Sequence, residues 1–108
     1  MKVIVTGASK GIGKGIATVL AREGFTVGLM ARSADLLAEL QRAIEATGGR
    51  CICTACDLRD PDAVQKAVDL LFDRLDGVDA LINNAGLVIR KDIFTVSLDE
   101  WRAMVDTN

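Results

Sequence analysis

The chain has 108 residues, half of them hydrophobic and 26% charged, with a net charge of −2 at neutral pH. That suffices for one domain around one core, and no apolar run is long enough to span a bilayer. Interspersed charges of both signs leave no electrostatic footprint for nucleic acid or an anionic membrane.

At the amino terminus, "MKVIV" is too short for the apolar core of a secretory signal, which makes the cytoplasm the expected location. "KVIVT" (2–6) is β-rich without polar alternation, the pattern of a strand buried on both faces. It runs into "TGASKGIGKG" (6–15), with four glycines in ten positions. The helix that follows places Ile12, Ile16, Val19 and Leu20 on one face and ends at Gly24. "FTVGLMA" (25–31) predicts a second strand. Ser33 is the expected N-cap of a helix bearing Leu36, Leu37, Leu40, Ala43 and Ile44, which ends at Gly48–Gly49.

"RCICTAC" (50–56) reads as a third strand and contains all three cysteines. C-x-C-x-x-C suggests a metal, but zinc takes four ligands from Cys, His or carboxylates, and the chain has no histidine. On a strand, Cys51 and Cys53 share a face and Cys56 points the other way. They are read as small buried hydrophobes in a reducing compartment, with no metal ligand among them. Asp60 then caps a helix with Pro61 at its first position and Val64, Ala67, Val68, Leu71, Phe72 and Leu75 as its stripe. "VDALIN" (78–83) predicts a fourth strand. After a loop, Ser97 and Glu100 form a capping box for a last helix carrying Trp101, Met104 and Val105. Strands separated by helical crossovers lie parallel, so the fold class is α/β with a doubly wound parallel sheet.

The glycine loop lies between the first strand and its helix, at the carboxyl end of the strand, where such sheets bind ligands and a helix N-terminus favours anions. Glycine lets a phosphate approach backbone N–H groups without a Cβ in the way. A pyrophosphate is therefore the expected occupant. A Walker A loop is excluded, because Gly15 follows Gly13–Lys14 and Ala8 occupies its first glycine position. G-x-G-x-x-G fails at Ile16. What stands there is T-G-x-x-x-G-x-G, made by Thr6, Gly7, Gly11 and Gly13.

With these residues the whole chain resembles the short-chain dehydrogenase/reductase family, which carries TGxxxGxG at this place. Asp57–Leu58 after the third strand is similar to the family's adenine-contacting pair, and "NNAG" (83–86) to its second signature. Asn108, in "DTN", matches a catalytic asparagine. The resemblance implies a Rossmann-type sheet with strand order 3-2-1-4-5-6-7, here cut off after the fourth strand and its helix. It implies a cofactor site made of Gly7, Ser9, Lys10, Gly11, Ile12, Gly13, Arg32, Ser33, Asp57, Leu58, Asn83, Ala85 and Gly86.

The end of the second strand bears on which dinucleotide binds. NAD binders place an acidic residue there for the ribose 2′-OH. "MARS" has none; Arg32 can instead pair with a 2′-phosphate, and Lys10 supplies a second cation. NADP(H) is therefore expected over NAD(H).

Members of the family transfer a hydride between the nicotinamide and a carbonyl or alcohol, using a Tyr-x-x-x-Lys element and a serine. Hydride transfer leaves an alkoxide that needs a proton from a positioned donor. The chain has no tyrosine, so residues 1–108 are expected to be inactive alone. They are read as the NADP(H)-binding, N-terminal part of a longer domain, a reading supported by the uncapped last helix and by the apolar edge that "ALIN" leaves. The alternative is a non-catalytic dinucleotide-binding or redox-sensing module; a half-domain paired with another chain is a third possibility. Arg90 and Lys91 are read as solvated loop charges. The resemblance implies a homo-oligomer, dimer or tetramer. Its likeness to the 3-oxoacyl-carrier-protein reductase type concerns the cofactor half only and leaves the substrate open.

Overall fold

The computed structural model describes residues 1–108. Strands and helices alternate: β1 (Lys2–Thr6), α1 (Gly11–Arg22), β2 (Thr26–Ala31), α2 (Ala34–Ala46), β3 (Arg50–Ala55), α3 (Pro61–Leu75), β4 (Ala80–Ile82) and α4 (Leu98–Thr107). All neighbouring strands pair in parallel, in the order β3-β2-β1-β4. This is the doubly wound arrangement that the alternation predicts, with β1 and β2 inside and β3 and β4 at the edges.

Side-chain alternation divides the core into two layers. Val3, Val5, Val27, Leu29 and Cys51 face α1 and α2, where Ala17, Ala21, Leu37, Leu40 and Ile44 meet them. Ile4 and Met30 face α3, against Cys56, Ala67, Leu71 and Leu75. β1 is thus buried on both faces, which explains its unbroken apolar run. The cysteines follow the same alternation, with Cys51 and Cys53 in the first layer and Cys56 in the second. All three are free thiols. The Cys51 thiol is pushed up by its hydrogen bond with Cys53 and by burial, and that of Cys56 by burial and the nearby Asp57 and Asp60. Both stay protonated and inert.

Helix ends follow their sequence signals. The Ser33 hydroxyl accepts from Leu36 N, and Asp60 accepts from Asp62 N and Ala63 N. Ser97 and Glu100 make the capping box in both directions. The helix faces are less well anticipated. On α1 the buried stripe is Gly13, Ala17 and Ala21, whereas Ile12 is 77% exposed and Val19 53%. Leu36, Ala43 and Phe72 also lie at the surface. Small residues let a helix sit close to the sheet, so the contact line shifts from the largest side chains to the smallest.

β4 is shorter than expected because the chain leaves the ladder early. The Thr6 hydroxyl accepts from Asn84 N and Ala85 N, both at 3.0 Å, and donates to Ile82 O at 3.4 Å. A side chain of β1 thereby takes over the bonds that a longer β4 would have made. α4 buries no residue. It is tied to the loop before it by Met104 Sδ, which accepts from Ile89 N at 3.3 Å, and by Asn108. Lys91 is an exposed loop charge, as the sequence suggests, and it also pairs with Glu100 at 2.9 Å.

Candidate functional site

The four strands end side by side, and a cleft of about 360 Å³ opens over their carboxyl ends. Given the strand order, the loops that line it stand in a row. Cys56, Asp57 and Leu58 follow β3; Arg32 and Ser33 follow β2; Gly7, Ser9, Lys10 and Ile12 follow β1; Asn84, Ala85 and Gly86 follow β4. At about 4.8 Å per strand, the row is roughly 14 Å long. Met30, Ala31 and Leu36 add apolar wall near its β3 end, and Thr107 of α4 closes the other.

The glycine loop is shaped by two close approaches. Gly7 has φ +62°, and a Cβ on it would come within 2.8 Å of Ala85 Cα. A Cβ on Gly13 would collide with the Gly7 carbonyl oxygen and with Asn84 Nδ2. The loops after β1 and β4 therefore interlock. Asn84 makes the lock, donating from Nδ2 to Thr6 O and Gly7 O, both at 3.2 Å. α1 begins at the floor of this loop. Its N-cap, Lys10, makes no side-chain capping bond, unlike the N-caps of α2, α3 and α4. Its first amides are left for an anion or solvent.

Charge is distributed unevenly along the row. Lys10 and Arg32 are the cations, and Asp57 at the β3 end is the only carboxylate lining the cleft. Arg59 grips that carboxylate: its Nη2 donates to Oδ2 at 2.8 Å, and its backbone N–H to Oδ1 at 3.0 Å. These bonds hold Asp57 down to about 2, with Arg32 contributing from a distance.

Of the residues singled out from the sequence, Gly7, Ser9, Lys10, Ile12, Arg32, Ser33, Asp57, Leu58, Ala85 and Gly86 line the cleft. Gly11, Gly13, Asn83 and Asn108 do not. Gly11 and Gly13 sit in the first turn of α1, where Gly13 serves packing. Asn83 lines an apolar groove of about 260 Å³ next to α3. Within "NNAG", the residue at the cleft is Asn84, not Asn83 to which the motif reading points. Asn108 acts on the backbone: Oδ1 accepts from Leu87 N at 2.6 Å and Nδ2 donates to Leu87 O at 3.0 Å. With both ends of its carboxamide used, it pins the loop after Gly86 to the end of α4. Arg59 is a further functional candidate that no motif had indicated.

Comparison with known proteins gives a consistent picture. A family model described as short chain dehydrogenase matches residues 1–108. The uncharacterized oxidoreductase Lmo0432 of Listeria monocytogenes is 36% identical over 98% of the chain, which covers 43% of that protein. The ketoacyl reductase HetN of Nostoc is 38% identical over 98% of the chain and 37% of its own length. Among solved structures, an alcohol dehydrogenase from the archaeon Thermococcus sibiricus complexed with 5-hydroxy-NADP superposes with a TM-score of 0.94 at 31% identity, over 98% of the chain and 46% of the archaeal one. The chain spans less than half the length of each of these three proteins.

Proposed function

Because the chain belongs to the short chain dehydrogenase family, we propose that it supplies the dinucleotide-binding part of an oxidoreductase that uses NADP(H) and moves a hydride between the nicotinamide and a carbonyl or alcohol. The observation that carries this reading is the row of loops over the sheet. It places an acceptor and apolar walls at the β3 end, cations over β2 and β1, a glycine loop at a helix N-terminus, and a backbone-lined end at β4. A dinucleotide presents a base, a phosphorylated ribose, a pyrophosphate and a second ring in that order. The glycine loop is held in shape by the close approach of Gly7 and Gly13 to the Asn84 side chain.

In this reading Leu58 and Asp57 hold the adenine, Arg32 and Ser33 the 2′-phosphate, and Lys10 the same end of the ligand. Ser9 and Ile12 offer backbone amides to the pyrophosphate, Gly11 and Gly13 shape the turn that presents them, and Ala85 and Gly86 support the nicotinamide half, with Asn83 holding its end of the strand. Asn108 keeps the Gly86–Leu87 loop in place. The bound nicotinamide supplies or accepts the hydride. The proton donor that the resulting alkoxide requires is not among these residues, since the chain has neither tyrosine nor histidine. The chain on its own is therefore proposed to bind without turnover. The small carbonyl substrate, and assembly into a dimer or tetramer, belong to the protein as a whole under this reading.

The missing proton donor also favours a second reading, a dinucleotide-binding or redox-sensing module with no catalysis of its own. One titration addresses the shared premise: NADPH fluorescence followed as the chain is added, with NADH alongside. Saturable binding that favours NADPH supports the site assignment; binding of neither removes it. Turnover of a carbonyl by full-length protein carrying these residues then separates the oxidoreductase from the module.

A further inference from the structure

The structure assigns Arg59 the part of a positioning residue: it holds the Asp57 carboxylate away from Arg32, leaving Arg32 free for the phosphate of the ligand and Asp57 fixed as an acceptor for an amino group. The inference rests on the cofactor reading above and deepens it at the β3 end of the same cleft.

The geometry begins with what Asp57 is bonded to. Oδ1 accepts from Arg59 N at 3.0 Å and from Nε at 3.2 Å; Oδ2 accepts from Nε at 3.2 Å and from Nη2 at 2.8 Å. A carboxylate offers about four lone-pair directions, and Nε divides its single N–H between the two oxygens. Three N–H donors on about four lone-pair directions leave the carboxylate roughly one acceptor position, with the load shared evenly by its two oxygens. Asp57 lines the cleft and Arg59 does not, so the clamp holds a cleft-lining carboxylate from a residue outside the lining. The adjoining wall is apolar, formed by Met30, Ala31 and Leu58. An acceptor at the rim of an apolar slot selects a flat ring that carries a donor.

The second element is competition. Arg32 and Asp57 line the same cleft just beyond the ends of the paired strands β2 and β3, yet they form no ion pair. With Arg59 removed, Arg32 is the cleft-lining cation that follows the strand next to β3. Turning toward it would place a negative charge beside the phosphate site and occupy the guanidinium meant for the ligand.

The test measures equilibrium binding of NADPH, NADH and the NADPH analogue with hypoxanthine in place of adenine. The proteins are the chain and its Arg59→Ala, Arg59→Lys and Arg59→Ala/Asp57→Asn variants, with thermal unfolding as the control for folding. In Arg59→Ala the preference for NADPH over NADH falls by about fivefold, the scale of an exposed ion pair. Discrimination against the hypoxanthine analogue falls with it. The double variant, which has no carboxylate to capture Arg32, recovers the NADPH preference but not the discrimination between bases. Arg59→Lys, with its charge but without the fork, lies between. A folded Arg59→Ala or Arg59→Lys protein with both ratios unchanged overturns the inference and leaves the cofactor reading intact, as does a double variant that recovers nothing. Binding of no dinucleotide by the unaltered chain overturns both.

Discussion

Arg32 and Asp57 stand at adjacent strand ends with opposite charges, and between them they set what the outer end of the cleft accepts. Arg32 offers a planar fork to a phosphate, and no carboxylate follows β2 to accept from a ribose hydroxyl. Arg32→Asp reverses both conditions. The ratio of NADPH to NADH affinity should fall by about tenfold or more, the value of one charge-assisted contact; a variant that still prefers NADPH sinks the assignment. Asp57 makes a separate prediction through pH. Its carboxyl is depressed from an ordinary value near 3.9 to about 2 by the Arg59 hydrogen bonds. A depressed carboxylate contributes fully above its unfolded value and loses that contribution as the pH falls through the folded one, so the window runs from about pH 4 down to about 2. Carbon-detected NMR should find the Asp57 midpoint near 2, rising toward 3.9 in Arg59→Ala, while cofactor affinity between pH 5 and 8 owes no change to this group. A midpoint near 3.9 in the unaltered chain means that the Arg59 clamp does not form in solution. Gly13 carries a third residue-scale expectation. Because a Cβ there meets a carbonyl oxygen and the Asn84 amide together, Gly13→Ala should cost about 1–3 kcal/mol in urea unfolding, while Gly15→Ala, with open space around it, should not destabilise.

Elements were legible from the sequence wherever a local rule fixed them, and the helix starts show this best. Ser33, Asp60 and Ser97 each announce an N-cap by side-chain chemistry alone, and each makes the bond. The order of strands and helices followed from the alternation of apolar runs with helical stripes. What escaped was the choice between neighbours that tertiary contact makes. Periodicity ranks large apolar residues and so favoured Ile12 and Val19 for the inner face of α1, but the helix lies against the sheet along Gly13, Ala17 and Ala21. Asn83 and Asn84 are the same residue type one position apart, and only the early exit of β4, bound by the Thr6 hydroxyl, decides which faces the cleft. Arg59 belongs to no motif, and its importance lies wholly in where its guanidinium points. The two kinds of cap give the test at this scale. Asp60→Ala removes two bonds from α3, whose Ala67, Leu71 and Leu75 help build the core, and should cost the fold about 1 kcal/mol in chemical unfolding. Ser97→Ala should cost a similar amount in helix stability. Because α4 buries no residue, that loss should appear as faster amide exchange confined to α4 and the loop before it, with the global midpoint nearly unchanged. A shift of the global midpoint by Ser97→Ala equal to that of Asp60→Ala would show α4 to be part of the cooperative core.

Across the whole molecule the two faces of the sheet are covered unequally. α1 and α2 lie over one face and bury the larger cluster; α3 alone serves the other. The consequence is visible at β4, which pairs with β1 on one side only, has Leu81 55% exposed, and borders the apolar groove that continues to Phe72. An unpaired parallel strand next to an apolar groove combines open backbone donors and acceptors with exposed hydrophobic area, and both promote contact with another polypeptide. The cleft lies at the carboxyl ends of the strands and takes no side chain from this groove's outer rim, neither Leu81 nor Phe72. Binding and self-association are therefore separable by mutation. Sedimentation of the chain over a concentration series should show reversible association. Leu81→Lys, which puts a charge on the open edge, should move the distribution toward monomer and leave NADPH affinity within about twofold, as expected for a surface change away from the site. Association that persists unchanged in Leu81→Lys would place the contact elsewhere, with α4 and its exposed Leu98, Trp101 and Val105 as the next surface to alter. A chain that stays monomeric throughout the series would show that the single-sided pairing of β4 is tolerated in water, and that the exposed groove alone does not drive association.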